Sequence, residues 1–147
     1  MEASDLDQMG PIDYIVVEWP GKQPTGEAAP LLVDLVDRGL IRILDLAFIS
    51  KAEDGSVAGL EISALAGEVP EMKVLDGASS GLVSDEDREA AGETLEPGTS
   101  AAILVYENKW AAPFAAAVRR SGGQLVANGR IPVQAILAAL DATEQAD

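Results

Sequence analysis

The stretch IDYIVVEWPGKQPTGEAAPLLVDLVDRGLIRILDLAFI, residues 12–49, decides the fold, because two strand patterns flank one helix pattern in it. Residues 12–19 are β-branched and aromatic and end at a Pro-Gly pair, which predicts a strand followed by a loop. Apolar residues recur at intervals of three and four over residues 28–36, which predicts one face of a helix that Gly39 ends. Residues 41–49 regain strand character, so this order predicts a β-α-β unit with parallel strands.

A second segment near the C-terminus follows the same plan. Ser100–Glu107 (SAAILVYE) has the composition of a buried strand, and Asn108 is the predicted N-cap of the next helix. Gly122-Gly123 ends that helix, and Gln124–Asn128 is a predicted fifth strand. The apolar face of the helix comprises Trp110, Phe114, Ala117 and Val118. A last helix starts at Pro132, and its predicted buried stripe comprises Val133, Ile136, Leu137 and Leu140.

The segment between the two units has its own signals. Asp54-Gly55 predicts a tight turn that joins the second strand to a third over residues 57–62, in a hairpin. Residues 63–83 lack a sustained period and predict a connector with a short helix over residues 70–75. Ser84 with Asp87 three residues later resembles a capping box, which predicts a helix up to about Leu95.

Together these patterns predict an α/β (α+β) fold, a ferredoxin-like two-layer sandwich of two β-α-β units. Its sheet is expected to be mixed, with four to five strands, the first and fourth in the centre and the helices mainly on one face. One globular domain is expected over residues 11–142, since a chain of this length suits a single core. Residues 1–10 and 143–147 are expected to be flexible acidic extensions.

Composition restricts the function. The 147 residues include no His and no Cys, and 25 Asp and Glu outnumber 10 Lys and Arg. The side chains most used in acid–base, nucleophilic and transition-metal chemistry are therefore missing. A formal net charge of −15 disfavours nucleic acid and anionic lipid, which bind through Lys and Arg. No apolar run is long enough to cross a bilayer, so we expect a cytoplasmic protein without membrane insertion.

Tests for individual motifs give no catalytic or metal site. Gly21-Lys22 lacks the first glycine and the Ser or Thr of a phosphate-binding loop. Acidic residues over 85–96 match the acidic positions of a calcium-binding loop, but Ala90 stands where that loop needs glycine. We therefore interpret this stretch as the acidic start of a helix. We expect no catalytic residues, no metal and no cofactor.

Four residues are the candidate ligand or interface positions: Glu18, Trp19, Glu107 and Trp110. Parallel pairing of the first and fourth strands would bring these two Glu-Trp sets to the same edge of the sheet. A pair of carboxylates there could in principle hydrolyse a glycosidic bond, and the two Trp side chains could line a pocket.

The sequence also resembles a known family. The stretches MGPIDYIVVEWPG (9–21), DRGLIRILDLAFISK (37–51) and ENKWAAPFAAAVRRSGGQLVANGRIP (107–132), with the Pro-Gly-Thr-Ser-Ala-Ala entry at 97–102, resemble an uncharacterised actinobacterial family of unknown function. That family is similar to a wider bacterial group with two β-α-β halves, many of which carry a glycine-rich hydrophobic hairpin after the third strand. The corresponding residues 63–83 are charged here, so the membrane role of that group does not carry over. The resemblance implies no site residues.

Our first hypothesis is a non-enzymatic cytoplasmic domain that acts through protein association, as a homo-oligomer built on an open sheet face or an exposed edge. The first alternative is a module that binds a small molecule near Trp19 and Trp110. The second is a carboxylate-based hydrolase, for which a raised carboxylate pKa in a cleft would be the signature.

Overall fold

The computed structural model describes residues 8–21, 26–127, 129 and 133–146. The strands are β1 (Ile12–Pro20), β2 (Arg42–Lys51), β3 (Val57–Leu60) and β4 (Thr99–Glu107). The α-helices are α1 (Ala29–Asp37), α2 (Ile62–Glu68), α3 (Asp85–Glu93), α4 (Ala112–Arg120) and α5 (Val133–Ala146). Two short 3₁₀ helices cover Pro70–Leu75 and Lys109–Ala111.

Local signals place the first elements where the sequence predicted them. Pro30 lies in the first turn of α1, and Gly39 follows the helix with a φ of 72° that favours glycine. β2 and β3 form the predicted hairpin, and Gly55 in its turn has a φ of 90°. These predictions are confirmed.

The capping box before α3 is also confirmed. The Ser84 hydroxyl accepts the Asp87 N–H at 3.1 Å, and the Asp87 carboxylate accepts the Ser84 N–H at 3.0 Å. The acidic residues that follow Ser84 therefore form the first turns of a helix. In the connector before it, the short helix over Pro70–Leu75 is confirmed, and α2 is an addition that the sequence analysis missed.

The order of the strands differs from the prediction. In the described sheet the order is β1-β4-β2-β3, and each neighbouring pair is antiparallel. β1 and β2 run in the same direction, because both pair with β4, but β4 separates them. The predicted mixed sheet is therefore an antiparallel one, and β1 is an edge strand instead of a central one. No fifth strand forms over residues 124–127, and Asn128 lies outside the described residues.

Helices cover both faces of the sheet. On one side, which we call the α1 face, α1, α2 and the 3₁₀ helix Pro70–Leu75 pack on the strands. The core of this face includes Ala29, Leu46, Phe48, Ile62, Leu65, Met72, Leu75, Ala102 and Leu104. On the opposite side, the α3 face, a smaller core comprises Ala47, Ile49, Val83, Leu95, Ala101 and Ile103. The expectation of helices mainly on one face is thus wrong, because α3 returns across β2 and β3.

The chain after β4 also departs from the prediction. Asn108 precedes the 3₁₀ helix, but its side chain makes no capping hydrogen bond to it. The side-chain amide donates to the Pro11 carbonyl at 3.1 Å and to Asp13 at 3.0 Å. A 3₁₀ turn precedes α4, so Trp110 is not part of that helix and does not extend its apolar face. Trp110 and Phe114 are 67% and 74% exposed, respectively.

The chain divides into two compact units between Ala117 and Val118. The second unit holds α5, whose predicted buried stripe is exposed, with Ile136 at 45% and Val133 at 68%. The described part of this unit contains no strand, so the helix has no sheet within the unit to cover. Helix α5 continues to Ala146, through most of the predicted flexible tail.

Candidate functional site

The outer edge of β1 is free along its length in the described sheet. The Pro11 carbonyl accepts the Asn108 N–H at 2.8 Å, so Pro11 directs its backbone toward β4. Backbone groups alternate in direction along an antiparallel strand. The N–H and C=O groups of Tyr14, Val16 and Glu18 therefore point outward, away from β4. They form a row of unpaired donors and acceptors, as sheet edges do.

An apolar hollow of about 200 Å³ lies beside β1 on the α1 face. Its β1 wall comprises Ile15, Val17 and Trp19, and its other walls include Leu32, Phe48, Met72 and Leu104. Apart from Val17, these side chains belong to or pack against the larger core, so the hollow is a continuation of that core toward the edge strand. Helix α1 does not fill the space above β1.

A larger groove of about 530 Å³ lies beside β1 on the α3 face. Ile12, Tyr14 and Val16 of β1 form one wall, and α3 with the residues before it forms the other. Tyr14 is 74% exposed and Ile12 is 50% exposed. Helix α3 packs mainly on β2 and β3, so it borders this groove from the side opposite β1.

This arrangement suits the addition of a strand. An incoming strand would pair with the outward backbone groups of β1, and its alternate side chains would enter the hollow and the groove. Edge strands are usually protected by lysine, proline or a bulge. β1 contains no lysine, and its Pro20 removes an outward N–H only at the last position. The middle of the edge is open.

Glu18 and Trp19 lie at one end of β1, on opposite faces of the sheet. The Glu18 carboxylate accepts the Glu96 N–H at 2.8 Å and the Thr99 hydroxyl at 3.3 Å, so it fixes the loop before β4. Trp19 lies on the other face and lines the hollow. Trp19, one of the four predicted positions, thus borders a cavity.

Glu107 and Trp110 lie at the other end of the sheet. Glu107 is 6% exposed and accepts the Gly10 N–H at 2.8 Å and the Arg42 Nε–H at 2.9 Å. Trp110 Nε1 donates to the Asn108 side chain at 3.3 Å. The expectation that the two Glu-Trp sets share an edge is wrong, because β1 and β4 are antiparallel.

The separation of the two glutamates follows from the register. Glu18 pairs with Ala101 and Glu107 pairs with Ile12, so the two glutamates are six residue steps apart along the paired strands. At about 3.3 Å per residue this distance is roughly 20 Å. Paired glycosidase carboxylates lie about 5 to 10 Å apart. Glu18 and Glu107 are therefore too far apart to act as a pair of glycosidase carboxylates.

Sequence reasoning missed Asp45, a fully buried carboxylate in β2. It accepts the backbone N–H groups of Ser80, Val83 and Leu46 at 2.7, 2.7 and 2.8 Å. Burial raises the pKa of Asp45, but these hydrogen bonds and the one from the Ser80 side chain outweigh it and leave the pKa below its ordinary value. A single acid within the apolar run IRILDLAFI was the available signal.

Asp45 shapes the wall of the groove. β2 has an irregularity between Ile43 and Asp45, which changes the register against β4. The Ser80 hydroxyl donates to the Leu44 carbonyl at this point, at 2.6 Å. The loop that leads into α3 is thus fixed to β2 by Asp45 and Ser80, and it carries Leu82 and Val83 to the groove. The role of Asp45 is structural.

Two further features are absent from the described residues. No group of three or more Asp and Glu side chains in them is placed to hold a metal ion. None of their helices is both long enough and apolar enough to span a bilayer.

Comparison with known proteins identifies a family. Neither the curated proteins nor the solved structures contain a match to this chain. The profile of DUF6325, described as a family of unknown function, matches residues 8–145. This confirms the resemblance to a family of unknown function that the sequence predicted. The match covers nearly the whole chain, which therefore belongs to the family of unknown function DUF6325.

Proposed function

We propose that this chain is a non-enzymatic protein-association domain that forms a homodimer through the edge of β1. The observation that carries the proposal is the open edge of β1, which has an apolar hollow on one side and a groove on the other. Strand addition uses both features, since main-chain hydrogen bonds supply affinity and flanking cavities accept alternate side chains. The lack of His and Cys in the sequence supports a role without catalysis.

A second copy is the partner, because β1 is complementary to itself. The two-fold antiparallel register that overlaps all nine residues places Val16 opposite Val16 of the second copy. In this register Asp13 faces Trp19, Tyr14 faces Glu18, and no acid faces an acid. Opposed residues lie on the same face of the joined sheet, as antiparallel pairing requires. A shift by one residue would place a side chain of the α1 face opposite a side chain of the α3 face.

The same register pairs the outward N–H and C=O groups of β1 with those of the second copy. Val16, Tyr14 and Glu18 have their N–H and C=O groups on the outer edge, so each opposed pair can exchange two hydrogen bonds. Pro20 has no N–H and lies opposite Ile12, where it still offers a carbonyl. About eight hydrogen bonds would form between the copies by this pattern. Two four-stranded sheets would join into one of eight strands, with the two copies of β1 at its centre.

Light scattering after size-exclusion chromatography tests the proposal. We expect a particle of twice the 15.3 kDa chain mass at micromolar concentration. Val16→Pro is expected to give the monomer, because it removes an outward N–H and leaves the β1–β4 hydrogen bonds intact. Tyr14→Lys is expected to do the same by placing a charge in the middle of the edge.

The matched control is Ala58→Lys on β3, which makes the same change in charge on the opposite edge strand. This variant is expected to remain a dimer. Circular dichroism of all three variants checks that they are folded. A monomeric wild-type protein at every concentration would refute the proposal, and so would dissociation caused equally by Ala58→Lys.

The geometry favours association over the two alternatives. A small-molecule site that used all four predicted positions has no support, because they are divided between the two ends of the sheet. The cytoplasmic location remains part of the proposal and is a prediction from the sequence.

A further inference from the structure

The hollow on the α1 face is bordered by small side chains where larger ones would fill it. Ala102 of β4 pairs with Val17 on one side and with Phe48 on the other, so a methyl group lies between two larger side chains. Ala28 and Ala29, at the start of α1, also line the hollow and add one methyl group each. The space thus depends on three alanines, and a larger side chain at any of these positions would reduce it.

The hollow reaches from the protein surface into the core. Val17 at its outer side is 39% exposed, whereas Leu46 and Met72 at its inner side are each 2% exposed. Protein interiors hold few voids larger than a water molecule, because the atoms around an empty space lose their dispersion contacts. Water is a poor occupant, since it needs about two to four polar partners and the described lining residues are all apolar or aromatic. An apolar occupant would restore the missing contacts.

The lining residues indicate the class of ligand. Trp19, Phe48 and Met72 supply two aromatic side chains and a thioether, which make favourable contacts with an aromatic ring. None of the described lining residues is charged, so a carboxylate or an ammonium group would lose its hydration without gaining an ion pair. An apolar cavity of about 150 Å³ admits benzene, so a hollow of about 200 Å³ has room for one ring with a small substituent.

We propose that the hollow binds a small uncharged aromatic molecule, with its ring over Ala102 of β4. The site belongs to one chain, so this proposal goes beyond association through β1. In the proposed dimer, Ile15 of the second copy lies opposite Val17, at the outer side of the hollow, and leaves the space over Ala102 free. Binding of the ligand and formation of the dimer are therefore independent of each other.

Isothermal titration calorimetry of the full chain with toluene tests the site. Toluene is expected to bind saturably, with one site per chain. Benzoate and benzylammonium carry the same ring with a charge of either sign, and both are expected to bind at least about tenfold more weakly. Cyclohexanol is the aliphatic comparison and is also expected to bind more weakly, because it lacks the aromatic contacts with Trp19, Phe48 and Met72.

Ala102→Leu places a larger side chain in the hollow, so it is expected to weaken toluene binding by about tenfold or more. The matched control is Ala58→Leu, which makes the same substitution at an exposed position of β3 and should leave binding unchanged. Ala28→Leu keeps the test valid if Ala102→Leu fails to fold. Ala28 is exposed and makes no side-chain capping hydrogen bond, so the domain should tolerate a leucine there while the hollow is reduced.

Tyr14→Lys separates this site from the dimer. Tyr14 lies on the α3 face and does not line the hollow, so this variant should bind toluene as the wild type does, whatever its oligomeric state. Toluene that does not bind, a charged analogue or cyclohexanol that binds as tightly as toluene, or binding that survives both Ala102→Leu and Ala28→Leu would each overturn the proposal. None of these results would bear on association through β1, which light scattering tests.

Discussion

At the scale of single residues, Asp45 shows how one polar side chain can organise a loop. Its carboxylate is buried within β2 and accepts three backbone N–H groups, two of them from the loop before α3. Charged acceptors form stronger hydrogen bonds than neutral ones, so a carboxylate suits this position better than an amide. The loop has few other polar contacts with the sheet, which makes Asp45 its main attachment.

We expect Asp45→Asn to lower the free energy of unfolding at neutral pH by about 3 kcal/mol, because it replaces a charged acceptor by a neutral one and buries an unmatched NH₂ group. Urea denaturation followed by circular dichroism measures this loss. Asp34→Asn is the matched control, since Asp34 is exposed in an ion pair with Arg38. A surface pair of this kind contributes little, so a loss in the control as large as in Asp45→Asn would contradict the prediction.

The lowered pKa of Asp45 also predicts a dependence on pH. The folded protein binds this proton more weakly than the unfolded chain does, so the contribution of the ionised carboxylate is complete above the ordinary value of about 4 and is lost as the pH falls through the lower folded-state value. The difference in unfolding free energy between wild type and Asp45→Asn should therefore shrink below about pH 4. A difference that stays constant down to about pH 2 would show that Asp45 is not ionised in the folded protein.

At the scale of elements, local patterns predicted the helices and strands but not their arrangement. Periodicity, Gly39 and the capping box at Ser84 determine structure within a few residues of themselves. The sequence therefore predicts α1, α3 and the β2–β3 hairpin. The position of β4 between β1 and β2 depends on pairing across about 90 residues of chain, and no local pattern encodes it. For this reason the two Glu-Trp sets were predicted at one edge and lie at opposite ends.

The packing of α3 on β3 gives a test at this scale. A Cβ on Gly92 would lie 2.5 Å from a methyl carbon of Val57, so Gly92→Ala should force the helix away from the strand and cost about 2 kcal/mol of stability. Removing the opposing methyl groups with Val57→Ala should relieve this clash. The double variant is thus expected to be less destabilised than the sum of the two single ones, by about 1 kcal/mol.

Gly67→Ala in α2 is the control for helix propensity, because a Cβ there would meet no atom within 4 Å. It should raise the free energy of unfolding by up to about 1 kcal/mol. Additive effects at residues 57 and 92 in a thermodynamic cycle would mean that α3 does not pack on β3 in this way.

At the scale of the whole molecule, the acidic composition and the open edge act against each other. A net charge of −15 keeps copies apart, whereas β1 offers backbone groups and apolar side chains to a second copy. Asp13 and Glu18 bring part of that charge to the edge itself. The proposed register places each of them opposite an aromatic residue, so direct repulsion across the seam is small. The remaining repulsion is long-range and is screened by salt.

Association through β1 should therefore strengthen with ionic strength. Between about 0.02 and 0.3 M NaCl the screening length falls from roughly 20 Å to about 6 Å, and we expect the dimer dissociation constant to decrease by about tenfold. Sedimentation equilibrium at a series of concentrations measures this dissociation constant.

Glu18→Gln should dimerise more tightly than wild type at low salt, since it removes a charge from each side of the seam and keeps an oxygen for the Glu96 N–H. Glu68→Gln makes the same change in charge on α2 and should have a smaller effect. A dissociation constant that rises with salt would show that ion pairs, and not the backbone and apolar side chains of β1, hold the copies together.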